Sequence, residues 1–196
     1  MTRRDGLLAD ALFGAIAGTV ATLAMNQVTS RLYEAESPKA RRREDRARGG
    51  LTALEIAAGR VADAVGADLS AKQQATAGEA LHWALGIGAG ALYGVLRPRV
   101  PASRIGRGLA FGTAFWVLAD EIAVPAAGLT PGPAAFPWQT HARALLGHLA
   151  FGLAADAALS AVGALRKPAT EDARRAQFEA RLEAVGGPFA RRLAVG

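Results

Sequence analysis

Four long apolar stretches separated by polar segments dominate the chain. The first runs from Gly6 to about Val28, with Asp10 as its only charge. The second fills residues 80–96, between Glu79 and Arg97, and holds one histidine, His82. The third covers 108–129 and carries Asp120 and Glu121. The fourth covers 142–165, with Arg143 at its edge and His148 and Asp156 inside. About 20 residues of helix cross roughly 30 Å of hydrocarbon, so the pattern predicts an all-α membrane protein with four transmembrane helices. A water-soluble fold would instead need four helices apolar all round, with little amphipathic helix to cover them. Arg3 and Arg4 precede the first stretch as they would a signal peptide. Asp10 and the length of the stretch favour a retained anchor.

The polar segments predict surface helices. Residues 29–79 form the long loop after the first span, in two parts. A charge-dense run, SPKARRREDRARGG, ends at Gly49 and Gly50. Beyond it Leu54, Ala58, Val61 and Val65 recur at helical spacing opposite Glu55 and Asp63. That spacing predicts an amphipathic helix on the bilayer or across the bundle mouth; a plain surface helix packed on its neighbours fits equally. Residues 166–196 form a basic tail helix, with Thr170 as N-cap, Glu171 and Asp172 in the first turn and a stop at Gly186-Gly187-Pro188. Its arginines, including Arg174, Arg175, Arg181, Arg191 and Arg192, suit anionic lipid headgroups.

Charge orients the spans. The loop RPRVPASRIGR holds Arg97, Arg99, Arg104 and Arg107, whereas the loop between the third and fourth spans holds no Lys or Arg. Basic loops stay cytoplasmic, which places both termini inside. The 29–79 loop then lies outside despite nine Lys and Arg, a departure that long loops tolerate. The same distribution accounts for the net charge of +6, so a lipid bilayer rather than nucleic acid is the expected partner. With no cysteine, disulfides, thiol catalysis, thiolate zinc sites and c-type haem attachment are excluded.

The spans also resemble one another in pairs. Gly14-Ala-Ile-Ala-Gly18-Thr19 in the first stands against Gly108-Leu-Ala-Phe-Gly112-Thr113 in the third. Asn26-Gln27 and Asp120-Glu121 follow at the same offset. Between the second and fourth, His82-Trp-Ala84-Leu-Gly86 stands against His148-Leu-Ala150-Phe-Gly152. Two parallel two-helix repeats about an axis along the membrane normal would give this pattern; chance among small residues is the competing explanation. Gly14/Gly18, Gly86/Gly90/Gly94 and Gly108/Gly112 form faces on which helices can approach closely, within one chain or in a homo-oligomer.

Helical rise places Asp120 roughly 18 Å from the cytoplasmic end of its span, in the outer half. His148, His82, Asn26 and, at the mouth, His141 fall in the same outer layer, with Asp156 deeper in the cytoplasmic half. Asp120 and Glu121 are about 100° apart on a helix, so only one is expected to face the centre. Ionisable groups cost roughly 2.5–3.5 kcal/mol each at such depth and should face inward and pair. Three readings follow: the layer joins helices as a structural scaffold, it relays or senses protons or ions, or His82 and His148 hold b-type haem or a metal. The last lacks H-x-x-H or E-x-x-H spacing. No catalytic motif occurs: there is no G-x-S-x-G, phosphate loop or HExxH, and G-x-G-x-G at Gly86–Gly90 lacks a preceding strand. A non-enzymatic protein without cofactor or metal is expected.

The segment Pro125-Ala-Ala-Gly128-Leu129-Thr130-Pro131, followed by Pro137-Trp138 and Gly147-His148-Leu149-Ala-Phe151, resembles the YagU-like family of bacterial inner-membrane proteins, a domain of unknown function. His82 followed by Tyr93 resembles the family pattern as well. The resemblance covers about residues 80–165; it implies a small multi-pass protein of the bacterial inner membrane and no particular reaction. Asp120 stands where some members carry histidine, and the first loop departs from the pattern. The prolines at 125, 131, 133 and 137 predict a stiff external hairpin, with Trp138 at the membrane interface.

Overall fold

The computed structural model describes residues 3–166 and 175–181. Among the described residues it is helical, with no strand. Helix α1 (Arg3–Ala35) is followed by α2 (Pro38–Arg48), α3 (Ala53–Ala64) and α4 (Ala71–Leu96). Then α5 (Leu109–Trp116) continues through a π-helical turn (Val117–Ala123) into the short α6 (Val124–Ala126), and α7 (Trp138–Arg166) completes the bundle. Among the described residues three helical stretches are long and apolar enough to cross a membrane: Gly6–Ala35, Leu109–Ala126 and Trp138–Ala164. The chain therefore has the character of a multi-pass membrane protein. The second expected span falls in α4, where glycines together with His82, Trp83 and Tyr93 dilute the hydropathy, and it is not among the three.

Large and small apolar residues are distributed inside out relative to a water-soluble bundle. Along α1, Leu8, Leu12, Ile16, Val20 and Leu23 are exposed while Ala17, Ala21 and Thr22 are buried. Leu85 and Leu92 of α4, Leu118 and Ile122 of the π turn, and Leu146 and Leu153 of α7 also face outward. Lipid, unlike water, imposes no penalty on such faces, and cohesion comes from close backbone packing.

That packing is built on glycine. Helices α1 and α4 run antiparallel so closely that a β-carbon on Gly90 would lie 2.3 Å from Gly18 Cα, and one on Gly94 2.2 Å from the Asp10 carbonyl oxygen. Helices α5 and α7 repeat the arrangement: a β-carbon on Gly108 would lie 2.2 Å from the Gly152 carbonyl oxygen, and one on Gly112 2.2 Å from that of His148. Gly108 also carries φ +91°, so it starts α5 in a conformation other residues resist. Tyr93 against Phe111, with ring centroids 4.7 Å apart, joins α4 to α5, and Gly147 against Thr29 joins α7 to α1. A β-carbon on Gly14, Gly18 or Gly86 would likewise fall within 3 Å of the facing helix.

Residues 29–79 hold more helix than the single amphipathic segment expected around residues 54–65. Helix α1 continues past Val28 to Ala35, and α4 begins at Ala71 rather than near residue 80. Between them Ser37 caps α2 through the Ala40 amide, Pro38 opens it, and Gly49 ends it at φ +66° with its N–H on the Asp45 carbonyl. Capping boxes at Thr52/Glu55 and Ser70/Gln73 start α3 and α4. The amphipathic α3 packs on α4, where Gln74 Nε2 donates to the Glu55 carbonyl at 2.9 Å. It reaches the 127–128 turn through Arg60, which donates to the Ala127 and Gly128 carbonyls at 2.6 and 2.7 Å. It therefore lies across the bundle mouth. Most of the expected tail helix, including Thr170 and the Gly186–Pro188 stop, falls outside the described residues. Residues 175–181 are helical, with Arg175 and Glu179 paired at 3.5 Å.

The glycine contact makes a direct prediction. Gly90→Ala must push α1 from α4 and should cost about 1–3 kcal/mol, read as a lower Tm of the detergent-solubilised protein. Gly88→Ala, whose β-carbon meets nothing within 4 Å, should leave the Tm unchanged.

Candidate functional site

At one end of the bundle the end of α1, the start of α4, the π turn and the start of α7 enclose a cleft of about 740 Å³. Asn26, His82, Asp120, Glu121, His141 and His148 all line it, so the structure brings the whole predicted polar layer together. Both carboxyls of the Asp120–Glu121 pair reach α7, contrary to the expectation that only one would face the centre. Pro125 cannot donate to the Glu121 carbonyl, and its ring collides with that carbonyl in α-helical geometry. The preceding turn opens into the π form, a distortion common at functional sites. His141 and His148, seven residues apart on one face of α7, receive the two side chains.

The hydrogen bonds assign proton positions. His141 Nε2 lies 3.0 Å from the Pro133 carbonyl oxygen, which only accepts, so Nε2 carries a proton. His141 Nδ1 lies 2.7 Å from Glu121 Oε1. With Nε2 protonated, this contact holds one proton in either state: an imidazolium facing a carboxylate, or a neutral imidazole facing a carboxylic acid. Deeper in, His148 is buried, donates from Nδ1 to the Ala144 carbonyl at 2.9 Å, and meets the Phe115 ring edge-on. Its Nδ1 is 3.8 Å from Asp120 Oδ2, beyond hydrogen-bond reach. His82 Nε2 pairs with Asn26 Oδ1 at 2.8 Å, tying α4 to α1. Among the described residues no three His, Asp or Glu side chains converge to hold a metal ion.

Below the cleft Phe111, Phe115 and Phe151 pack with Tyr93 and Ala155 into the core. Asp156 lies beyond them, as its place in the sequence predicted. It accepts from Tyr93 Oη at 2.8 Å and from Arg97 Nε at 2.7 Å. Its distance from His148 along α7 is roughly 12 Å. At that same end Arg99 pairs with Asp10 at 2.8 Å.

A buried ionic cluster roofs the cleft, and sequence reasoning missed it. Arg143 bonds both oxygens of Glu44, at 2.6 and 2.7 Å, and also bonds Glu36. Its guanidinium lies 4.9 Å from the Tyr33 ring centroid. Glu44 further accepts from Thr140 Oγ1 at 3.0 Å and from Arg48. Glu44 is only 1% exposed although it sits in the most charged helix of the chain. The signals available were a lone arginine at the start of an apolar span and the i,i+4 pair Glu44/Arg48. Burial alone would raise the Glu44 carboxyl, but hydrogen bonds and charge from Arg143, the Arg48 charge and the Thr140 hydroxyl outweigh it and hold the group below its ordinary 4.5.

A depressed carboxyl stabilises the folded state above its ordinary pKa, and that contribution fades as the pH falls through the folded value. Wild-type stability should therefore drop as the pH falls below about 4.5. Glu44→Gln should cost roughly 3 kcal/mol at neutral pH, by breaking a buried pair on one side, and should flatten that acid-side fall. Tm measured against pH for the two proteins checks both.

A protein family described as Protein of unknown function (DUF1440) matches residues 53–157, from the start of α3 into α7. No curated protein and no solved structure matches the chain.

Proposed function

The chain belongs to the DUF1440 family of unknown function, and on that premise we propose that it is a four-span, non-enzymatic inner-membrane protein whose cleft senses protons from one side. Helix α4 is the fourth span in this reading, since its 26 residues suffice to cross the bilayer and its glycines pack it along α1. The Gly14/Gly18 contact on α4 and the Gly108/Gly112 contact on α7 support two parallel repeats. The YagU-like resemblance and the arginine-rich 97–107 loop support a bacterial inner membrane with both termini cytoplasmic. The cleft then faces outward, and anionic headgroups are the partner of the basic tail. Self-association would use faces other than the glycines already engaged.

One observation carries the functional reading: His141 is held between an obligate acceptor and a carboxyl, so the Glu121–His141 contact stores a single proton at the mouth of an accessible cleft. Asp120, His148, His82, Glu79, Arg48 and Arg143 also line that cleft and set the field at the pair. The aromatic layer of Phe111, Phe115 and Phe151 separates the pair from Asp156, which favours sensing over conduction. In a purely structural scaffold the same contacts would join helices without exchanging a proton.

Topology and chemistry are tested separately. Because the chain has no cysteine, Ala135→Cys should react with an impermeant maleimide from outside intact cells and Ala102→Cys only after lysis. Labelling of both from one side would overturn the four-span arrangement. For the proton, infrared difference spectra of the full chain in nanodiscs should show coupled histidine and carboxyl changes on a pH step. Glu121→Gln should remove the carboxyl part and His148→Ala should keep it. Identical spectra for wild type and Glu121→Gln would sink the sensing reading. Proton flux into proteoliposomes should stay at the empty-liposome level for wild type, His148→Ala and Asp120→Asn; flux abolished by Asp120→Asn would replace sensing with conduction.

A further inference from the structure

The cleft has a second chemistry beside its proton pair. Four carboxylates line it, Glu55, Glu79, Asp120 and Glu121, and three of them are engaged. Glu55 closes the α3 capping box, Glu79 accepts from Trp83 Nε1 at 2.8 Å, and Glu121 is bonded to His141. Asp120 makes no hydrogen bond among the described residues; its side chain is 39% exposed and the ring nitrogen His148 Nδ1 stands 3.8 Å away. The two lining arginines, Arg48 and Arg143, are neutralised by Glu44 and Glu36 in the roof. An anion would therefore find both guanidiniums already paired, whereas a cation meets a carboxylate that accepts no hydrogen bond among the described residues.

The walls identify the kind of cation. Phe115 and Phe136 line the same space with Met25 and Val124, and rings of this type attract cations through their faces. A volume of about 740 Å³ accommodates a small organic molecule rather than a bare ion. Among the described residues no three His, Asp or Glu side chains converge as an inorganic ion would need. We propose that the cleft binds a monovalent organic cation with an apolar body, its charge against Asp120 and its body along the phenylalanine wall. The inference rests on the reading of the cleft as open to one face, and it uses a different carboxylate from the proton pair.

Tetraphenylphosphonium is a suitable probe, and tetraphenylborate has the same shape with opposite charge. Equilibrium dialysis against the full chain in nanodiscs, with empty nanodiscs subtracted, should give one saturable phosphonium site per chain and none for the borate. Asp120→Asn should weaken the site by about tenfold or more, as loss of a charge pair in a partly enclosed cleft implies. Asp120→Glu should keep it. Asp10→Asn, at the opposite end beside Arg99, should leave it unchanged. No saturable phosphonium binding, equal borate binding, or unchanged affinity in Asp120→Asn would each overturn the proposal. Should Asp120→Asn fail to fold, the comparison of the two ions on wild type decides. The Glu121 infrared signal reads the proton independently, so loss of phosphonium binding with that signal intact removes the cation proposal alone.

Discussion

Contact between bare helix backbones is the constraint on which this bundle rests. Hydrocarbon solvates leucine as well as a neighbouring helix does, so large apolar side chains supply little reason for helices to associate in a bilayer. Gly14, Gly18, Gly86, Gly90 and Gly94 remove side chains from one seam, and Gly108, Gly112 and Gly152 remove them from another. Everything between the seams is set by them: Tyr93 can reach Asp156, Phe151 is sealed, and Asn26 comes level with His82. The polar layer is a consequence of this registration rather than its cause.

Most of the architecture was legible because glycine spacing and hydropathy act locally. The three long apolar helices and the grouping of His82, Asp120, Glu121, His141 and His148 around one cleft follow from hydropathy and helical rise. Two features were not legible, for different physical reasons. The roof formed by Glu36, Glu44 and Arg143 depends on residues about a hundred positions apart, and a charge-dense helix normally reads as solvated. Yet the local caps were present in Ser37-Pro38 and in Ser70 with Gln73, and they would have added α2 and the first turns of α4 to the amphipathic helix already read between them. The position of both carboxyls on α7 depends on the π turn before Pro125. A rule that counts 100° per residue has no means of including a turn of different pitch.

The site combines two arrangements that ordinarily conflict. Buried ionic groups must be paired to be tolerated, and Arg143 with its two glutamates meets that demand on one side, where among the described residues Glu36 Oε2 alone of their oxygens lacks a hydrogen bond. A site that exchanges protons or binds cations needs groups left incompletely satisfied, and Asp120 and the Glu121–His141 contact provide these. Helix α2 supplies Glu44 and Arg48 to the paired cluster, and the start of α3 lines the cleft beside it. Chain that resembled a solvated loop therefore defines the dielectric surroundings of the histidines.

The α1–α4 seam has a further consequence for biogenesis. Helix α1 emerges first from the ribosome, and its glycine face, together with Thr22 and Asn26, matches a partner synthesised only after α2 and α3. Until α4 arrives, lipid or an insertion chaperone must accommodate a notched helix whose asparagine lacks its histidine. The segment that matches the family begins after α1, at residue 53; the glycines of α4 within it are consequently shaped for a helix that lies outside it. Assembly of the bundle is thus ordered in time, with α4 acting as the template on which α1 is finally seated.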